Sequence, residues 1–219
     1  MSKTERVLGC IYIPIHGFVL PVVLGVLIGL YAPQTRAPYQ MLIFSTVSFA
    51  ITLVIMFKFL RTSFSDLIDG FWRAVQSIIL GYVLYRALLW ITALLIARLM
   101  SGVNPNTEAF SSALSENNKI MIIVSVVLAP IIEETVFRGA LFGTIRQKSR
   151  IAAYVISILI FALFHLLEYV LAGYGWQVLL FAIQYVPASV ALTWCYERGG
   201  TIWAPILLHA ILNLIVCIS

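Results

Sequence analysis

The residues best suited to chemistry are two adjacent carboxylates inside an apolar stretch, APIIEETVFRGALFG. Successive residues of a helix point about 100° apart, so Glu133 and Glu134 must face different neighbours. Glu134 and Arg138 are spaced i, i+4 in the acid-first order that favours a salt bridge. We therefore predict a supporting ion pair between them, which leaves Glu133 free to meet another helix. Pro130 lacks an amide hydrogen and should kink the helix, freeing a carbonyl and opening the packing beside Glu133.

Two histidines occur in later apolar stretches, each with a partner on its own helix face. Phe161 and His165 are spaced i, i+4, and so are His209 and Asn213. Side chains at this spacing are neighbours on a helix surface. A bundle that packs these helices against the helix of Glu133 would gather the acid, the two histidines and the asparagine around one cavity.

These side chain types are those of a hydrolase. Glu133 and His165 can together hold a water and take its proton. His209 and Asn213 can donate hydrogen bonds to the oxyanion of a tetrahedral intermediate. The same residue types can also form a proton relay in a transporter, so at this level both classes stay open. The third histidine, His16, has no polar partner at helical spacing and is interpreted as a packing residue.

The helices that must position these residues are membrane spans. Of the 219 residues, 62% are hydrophobic and 11% are charged, whereas soluble domains are about 45–50% apolar. About seven apolar runs are each near the length that crosses a bilayer core, at residues 7–31, 41–60, 71–99, 119–143, 151–171, 176–195 and 202–218. No internal repeat or long polar stretch separates them. We predict an all-α, polytopic transmembrane helix bundle in which residues 1–219 form a single membrane domain.

The net charge of +5 indicates orientation in the membrane and not nucleic-acid binding, because no basic cluster or tail carries it. Most Lys and Arg residues of the short loops, among them Lys3, Arg146, Lys148 and Arg150, fall on the side of the N-terminus. This pattern predicts a multi-pass protein of the cell membrane with a cytoplasmic N-terminus.

Three motifs, in this order and each in its own apolar stretch, resemble the signature of the CPBP intramembrane proteases, the CAAX protease and bacteriocin-processing or Abi family. They are E-E-x-x-x-R from residue 133, F-x-x-x-H from residue 161 and H-x-x-x-N from residue 209. The resemblance covers residues 120–213, which it marks as the catalytic core. The first three spans match the family only in being hydrophobic.

The resemblance implies a glutamic-type intramembrane endopeptidase acting on a membrane-associated protein or peptide in the lipid bilayer. It implies that Glu133 and His165 activate the attacking water and that His209 and Asn213 form the oxyanion hole. The substrate does not carry over, because members of the family cut prenylated proteins or take part in peptide maturation and bacteriocin immunity. We expect the site near mid-depth, opening toward the cytoplasm or laterally to lipid.

Three alternatives remain at this level. No cofactor is expected, yet Glu133, His165 and His209 are a set that catalytic zinc uses, so a zinc mechanism stays open. A non-catalytic membrane protein that binds a peptide or partner in bacteriocin immunity or signalling is the main rival to an enzyme. A proton-coupled transporter has less support, because the sequence shows no inverted repeat halves.

Overall fold

The computed structural model describes residues 1–99 and 103–218, and this part of the chain is helical and contains no β-strand. The protein is thus an all-α, polytopic membrane helix bundle. A 3₁₀ segment, Trp176–Tyr185, leads into α8. The helices are α1 (Lys3–Tyr31), α2 (Ala37–Asp69), α3 (Phe71–Leu99), α4 (Pro105–Glu116), α5 (Asn118–Ile145), α6 (Arg150–Phe164), α7 (Leu167–Leu171), α8 (Val186–Gly199) and α9 (Trp203–Ile218).

Five helical segments of the described chain are long and apolar enough to cross a membrane: α1, α2, α3, α5 and Val178–Gly199. The other two predicted spans correspond to α6 and α9, which have 15 and 16 residues. At 1.5 Å per residue each measures only about 22–24 Å, less than the roughly 30 Å of a bilayer core. The predicted span at 151–171 is interrupted because α6 ends at Phe164 and α7 begins only at Leu167.

Helix α5 is the most enclosed of these segments. Half of its most apolar window is buried, compared with 6% for α1. On one side, Ala140 of α5 packs with Met56 and Phe59 of α2 and with Ile206 of α9. The far half of α1, Leu20–Tyr31, has no buried residue. The bundle is therefore tightly packed around α5 but open beside the end of α1.

The turn between α8 and α9 determines where α9 begins. Gly200 adopts a left-handed conformation with φ of +73°, which ends α8, and a Cβ there would collide with the guanidinium of Arg73. Thr201 Oγ1 donates to Ser63 O at 2.7 Å, and the Ile202 amide donates to Ser63 Oγ at 2.8 Å. These bonds attach the start of α9 to α2. They thereby fix the position of α9 along its axis relative to the other helices.

Candidate active site

Helix α5 widens on both sides of Pro130. Residues Ile123–Leu128 and Glu134–Phe142 form π-helical turns, in which an amide bonds the carbonyl five residues earlier. In this register the amide that would reach Ser125 O is that of Pro130, which has no hydrogen. Asn213 Nδ2 of α9 donates to Ser125 O instead, at 2.8 Å. The proline thus frees a carbonyl, as the sequence predicted, and a candidate site residue binds it.

Glu134 lies at the centre of a buried ionic network. Arg138 Nη1 donates to Glu134 Oε1 at 3.0 Å, and both side chains are 0% exposed, so the predicted ion pair is present. His209 Nδ1 lies 2.8 Å from the same oxygen. Arg138 also donates to Ser189 Oγ at 3.1 Å and lies 4.1 Å from the ring centroid of Phe161. The network joins α5 to α6, α8 and α9.

Glu133, the neighbouring acid, faces the other way, toward His165. Glu133 Oε2 and His165 Nε2 are 3.7 Å apart, and their side chains are 16% and 20% exposed. This separation is longer than a direct hydrogen bond. Glu133 Oε2 is buried and has no hydrogen-bond partner among the described residues. The pair therefore presents two polar atoms to a small molecule bound beside them.

The ring of His165 is held at the point where α6 ends. His165 Nδ1 lies 2.9 Å from Phe161 O, four residues earlier. A carbonyl oxygen only accepts, so Nδ1 carries the hydrogen and Nε2 of the neutral ring is an acceptor that faces Glu133. The Phe161 ring also contacts the imidazole, with centroids 4.6 Å apart. Phe161, four residues before His165, thus contacts the imidazole through both its backbone carbonyl and its ring.

One cavity of about 470 Å³ is lined by all four side chains predicted to be catalytic, Glu133, His165, His209 and Asn213. This volume lies within the range of small-ligand pockets, about 300–1,000 Å³. A second cavity of about 380 Å³ adjoins it between α1 and α2 and shares Glu133 and His165. His16 also lines both cavities and places Nδ1 at 3.0 Å from Ser48 Oγ.

Both cavities lie in the half of the bundle that is remote from Met1. The lining residues of α1 lie between positions 16 and 28, those of α2 between 37 and 45, and α4 contributes Asn106. A cytoplasmic N-terminus would therefore place both cavities toward the outer half of the bilayer. The expected lateral opening is compatible, because the wall formed by Leu20–Tyr31 is unburied on its lipid side.

The sequence left a zinc mechanism open, with Glu133, His165 and His209 as the candidate ligands. In the described part of the chain, no three His, Cys, Asp or Glu side chains converge as a metal site requires. Of the candidate ligands, His209 has Nδ1 bonded to Glu134, so only its Nε2 remains for a ligand shared with Glu133 and His165.

One part of the site was not predicted from the sequence. The ring of Tyr185 stacks on His165, with centroids 4.5 Å apart. Its hydroxyl oxygen accepts from Asn104 Nδ2 at 3.0 Å and Asn106 Nδ2 at 2.9 Å, where α4 begins. The available signal was the polar pair Gln184 and Tyr185 inside an apolar run, but the sequence showed no partner for it.

Comparison with known proteins agrees with the motifs. Residues 115–215 match the family model of the type II CAAX prenyl endopeptidase Rce1-like proteins. The chain is 28% identical over 191 residues to "Putative membrane peptidase YdiL" of Bacillus subtilis (strain 168), covering 80% of this chain and 70% of that protein. It is 34% identical over 90 residues to UPF0177 protein YaiF of Lactococcus lactis subsp. lactis (strain IL1403), covering 40% of this chain and 34% of that protein. No solved structure matches the chain significantly.

The matched segment contains all three motifs and every candidate site residue. Together with the helix bundle, these matches make the chain similar to membrane proteases of the CAAX-protease type. The matches therefore agree with the resemblance of the three motifs to the CPBP intramembrane proteases, over residues 115–215.

Proposed function

We propose that the protein is a glutamic-type endopeptidase that hydrolyses a peptide bond of a membrane-associated protein or peptide without a metal. The observation that carries the proposal is the pairing of Glu133 Oε2 with His165 Nε2 at 3.7 Å. His209 and Asn213 line the same cavity, which supports their role as the oxyanion hole. The family supplies the class of reaction, and the geometry supports a role for each named atom.

In this proposal, Glu133 and His165 orient the attacking water. A water about 2.8 Å from both atoms would give one hydrogen to Glu133 Oε2 and the other to His165 Nε2, which leaves an oxygen lone pair for the substrate carbonyl. Glu133 takes the proton as the oxygen attacks. It returns this proton to the amine nitrogen when the C–N bond breaks.

In the same proposal, His209 and Asn213 stabilise the oxyanion. Asn213 uses one Nδ2 hydrogen for Ser125 O and keeps the second for a ligand. Because His209 Nδ1 is bonded to Glu134, its Nε2 donates to the oxyanion only when both ring nitrogens carry hydrogen. A donor of this kind is worth about 2.7–4 kcal/mol in the transition state.

We also propose that the N-terminus is cytoplasmic, so that the substrate reaches the cavity laterally from the outer half of the bilayer. In a background without Cys10, Cys195 and Cys217, a Thr4→Cys protein should react with an impermeant maleimide only after permeabilisation. A Ser112→Cys protein should react in intact cells, because Ser112 is exposed on α4. The reverse pattern would show that the cavity opens toward the cytoplasm.

The test of the activity compares new peptide termini by mass spectrometry in membrane and secreted fractions. Wild type, Glu133→Gln and the control Glu116→Gln, whose acid lies on α4 and not in either cavity, are expressed at matched levels. Termini made by wild type and Glu116→Gln but absent with Glu133→Gln are expected, and they name the substrate. If all three produce the same termini and Glu133→Gln retains the cellular phenotype, the protein is a binding factor for immunity or signalling. Cleavage abolished by a chelator and restored by zinc would overturn the metal-free mechanism.

A further inference from the structure

Tyr185 joins the imidazole of His165 to helix α4. The two rings lie 4.5 Å apart with their planes inclined by 27°. The Tyr185 hydroxyl accepts amide hydrogens from Asn104 and Asn106, at 3.0 and 2.9 Å. Asn104 is only 3% exposed, and its Nδ2 also donates to Gln184 Oε1 at 2.7 Å. The phenol cannot move relative to α4 without breaking these partly buried hydrogen bonds.

The position of His165 in the chain explains why its ring needs this contact. His165 is the residue at which α6 ends, and the regular helix resumes only at Leu167. The bond from Nδ1 to Phe161 O locates one nitrogen of the ring. A single hydrogen bond leaves the tilt of the ring free, whereas an aromatic ring stacked on its face restricts that tilt. The direction of Nε2 therefore depends on the stacked ring of Tyr185.

The hydrogen bonds of Asn104 also connect this contact to the architecture of α4. The Asn104 side chain accepts from the Asn106 amide at 3.0 Å and so caps the helix. The same side chain thus caps the first turn of α4 and donates a hydrogen bond to the hydroxyl of Tyr185. The phenol of Tyr185 thus links the start of α4 to the imidazole of His165.

We propose that Tyr185 is a positioning residue that directs His165 Nε2 toward Glu133, and that Asn104 and Asn106 of α4 hold it in place. The inference rests on the proposed function, because it requires that His165 orients the attacking water. Tyr185 acts through His165 and is not itself assigned a chemical step.

The kinetic test separates positioning from substrate binding. A misplacement of about 1 Å can cost about 10²-fold in rate. Tyr185→Leu, which removes the ring, should therefore lower kcat about 10- to 100-fold and change KM less than about threefold. Tyr185→Phe keeps the stacked ring but loses the bonds to α4, so its kcat should lie between those of Tyr185→Leu and wild type. Asn106→Leu should resemble Tyr185→Phe, and Ser111→Ala on the exposed face of α4 is the control.

A spectroscopic test reads the contact directly and needs no substrate. The chain has three histidines, so the ring signals of the full-length, histidine-labelled protein in nanodiscs can be assigned by replacing each in turn. Stacking on Tyr185 should shift the His165 ring protons upfield, and Tyr185→Leu should abolish that shift while Tyr185→Phe retains it. His16, whose ring lies 5.1 Å from Phe44 and 5.3 Å from Phe164, should be unchanged and reports that the fold is intact.

The two tests fail in different ways. Unchanged His165 signals in Tyr185→Leu, or wild-type kcat in that variant, would overturn the positioning role of Tyr185. If instead wild type and Glu133→Gln yield the same termini, the proposed function fails, and the spectrum still decides whether Tyr185 orients the imidazole.

Discussion

Helix α5 places two neighbouring carboxylates in opposite environments, one on its closed face and one on its open face. On the closed face, Glu134 Oε1 accepts from Arg138 and His209 inside the packed bundle. On the open face, Glu133 Oε2 has no partner in the described chain and meets His165 across 3.7 Å at a cavity wall. An ionisable group inside a membrane needs a partner, an aqueous cavity or a function. The closed face provides the partner and fixes helix positions, whereas the open face keeps an oxygen available for chemistry.

The largest effect should come from the open face. Glu133→Gln keeps the size of the side chain and removes the general base, so cleavage should fall about 10²- to 10⁴-fold. The unfolding midpoint in detergent should stay close to wild type, because Glu133 Oε2 makes no hydrogen bond to lose. Rate is measured on the substrate found by terminus mapping. A variant that cleaves normally would contradict the assignment of the base.

Substitutions on the closed face should mainly lower the free energy of unfolding, rather than the rate. Arg138→Met leaves the carboxylate of Glu134 buried without its cation, and removing one partner of a buried pair costs about 3–5 kcal/mol of unfolding free energy. Unfolding in mixed micelles measures the loss. The double variant Glu134→Gln/Arg138→Met should recover part of it, because the buried carboxylate that lost Arg138 is then absent. Equal stability of the single variant and wild type would show that this face does not hold the bundle.

Asn213 lines the cavity and also bonds the backbone of α5. Its replacement should lower the rate less than Glu133→Gln does. Asn213→Ala removes a proposed oxyanion donor, and loss of one such donor costs about 10²- to 10³-fold in kcat. It also deprives Ser125 O of its partner, so a loss of stability near 1–3 kcal/mol should accompany the kinetic loss. Comparison of kcat with the unfolding free energy separates the two. A loss of stability alone would make Asn213 purely structural.

The smallest effect should come from an exposed ion pair at the other end of the bundle. Arg146 Nε lies 2.7 Å from Glu197 Oε1, and the two side chains are 45% and 21% exposed. Exposed pairs contribute about 0–1 kcal/mol, so Arg146→Gln should change stability by no more than this and should matter less in high salt. Repeating the unfolding experiment in low and high salt checks the contrast with Arg138. A loss as large as that of Arg138→Met would mean that burial does not distinguish the two pairs.

Regularities within single helices made several features predictable. The bond between Glu134 and Arg138 and the contact between Phe161 and His165 follow from i, i+4 spacing, and both are present. Pro130 predicted a freed carbonyl because it has no amide hydrogen. These are local rules, and they hold whatever the helix packs against. The interruption after Phe164 was missed, because the apolar run itself continues through it.

The composition determined that this chain is an all-α membrane protein, because apolar length and helical periodicity are properties of short segments. The three motifs indicated its similarity to the CPBP family. Only the tertiary structure decided which atoms meet across helices. The bonds of His209 to Glu134 and of Asn213 to Ser125 join residues 75 and 88 positions apart. Such contacts depend on the rotation and height of each helix, which the π-helical turns of α5 and the anchored start of α9 establish. No spacing along one helix encodes these relations, because they are set by how whole helices pack together.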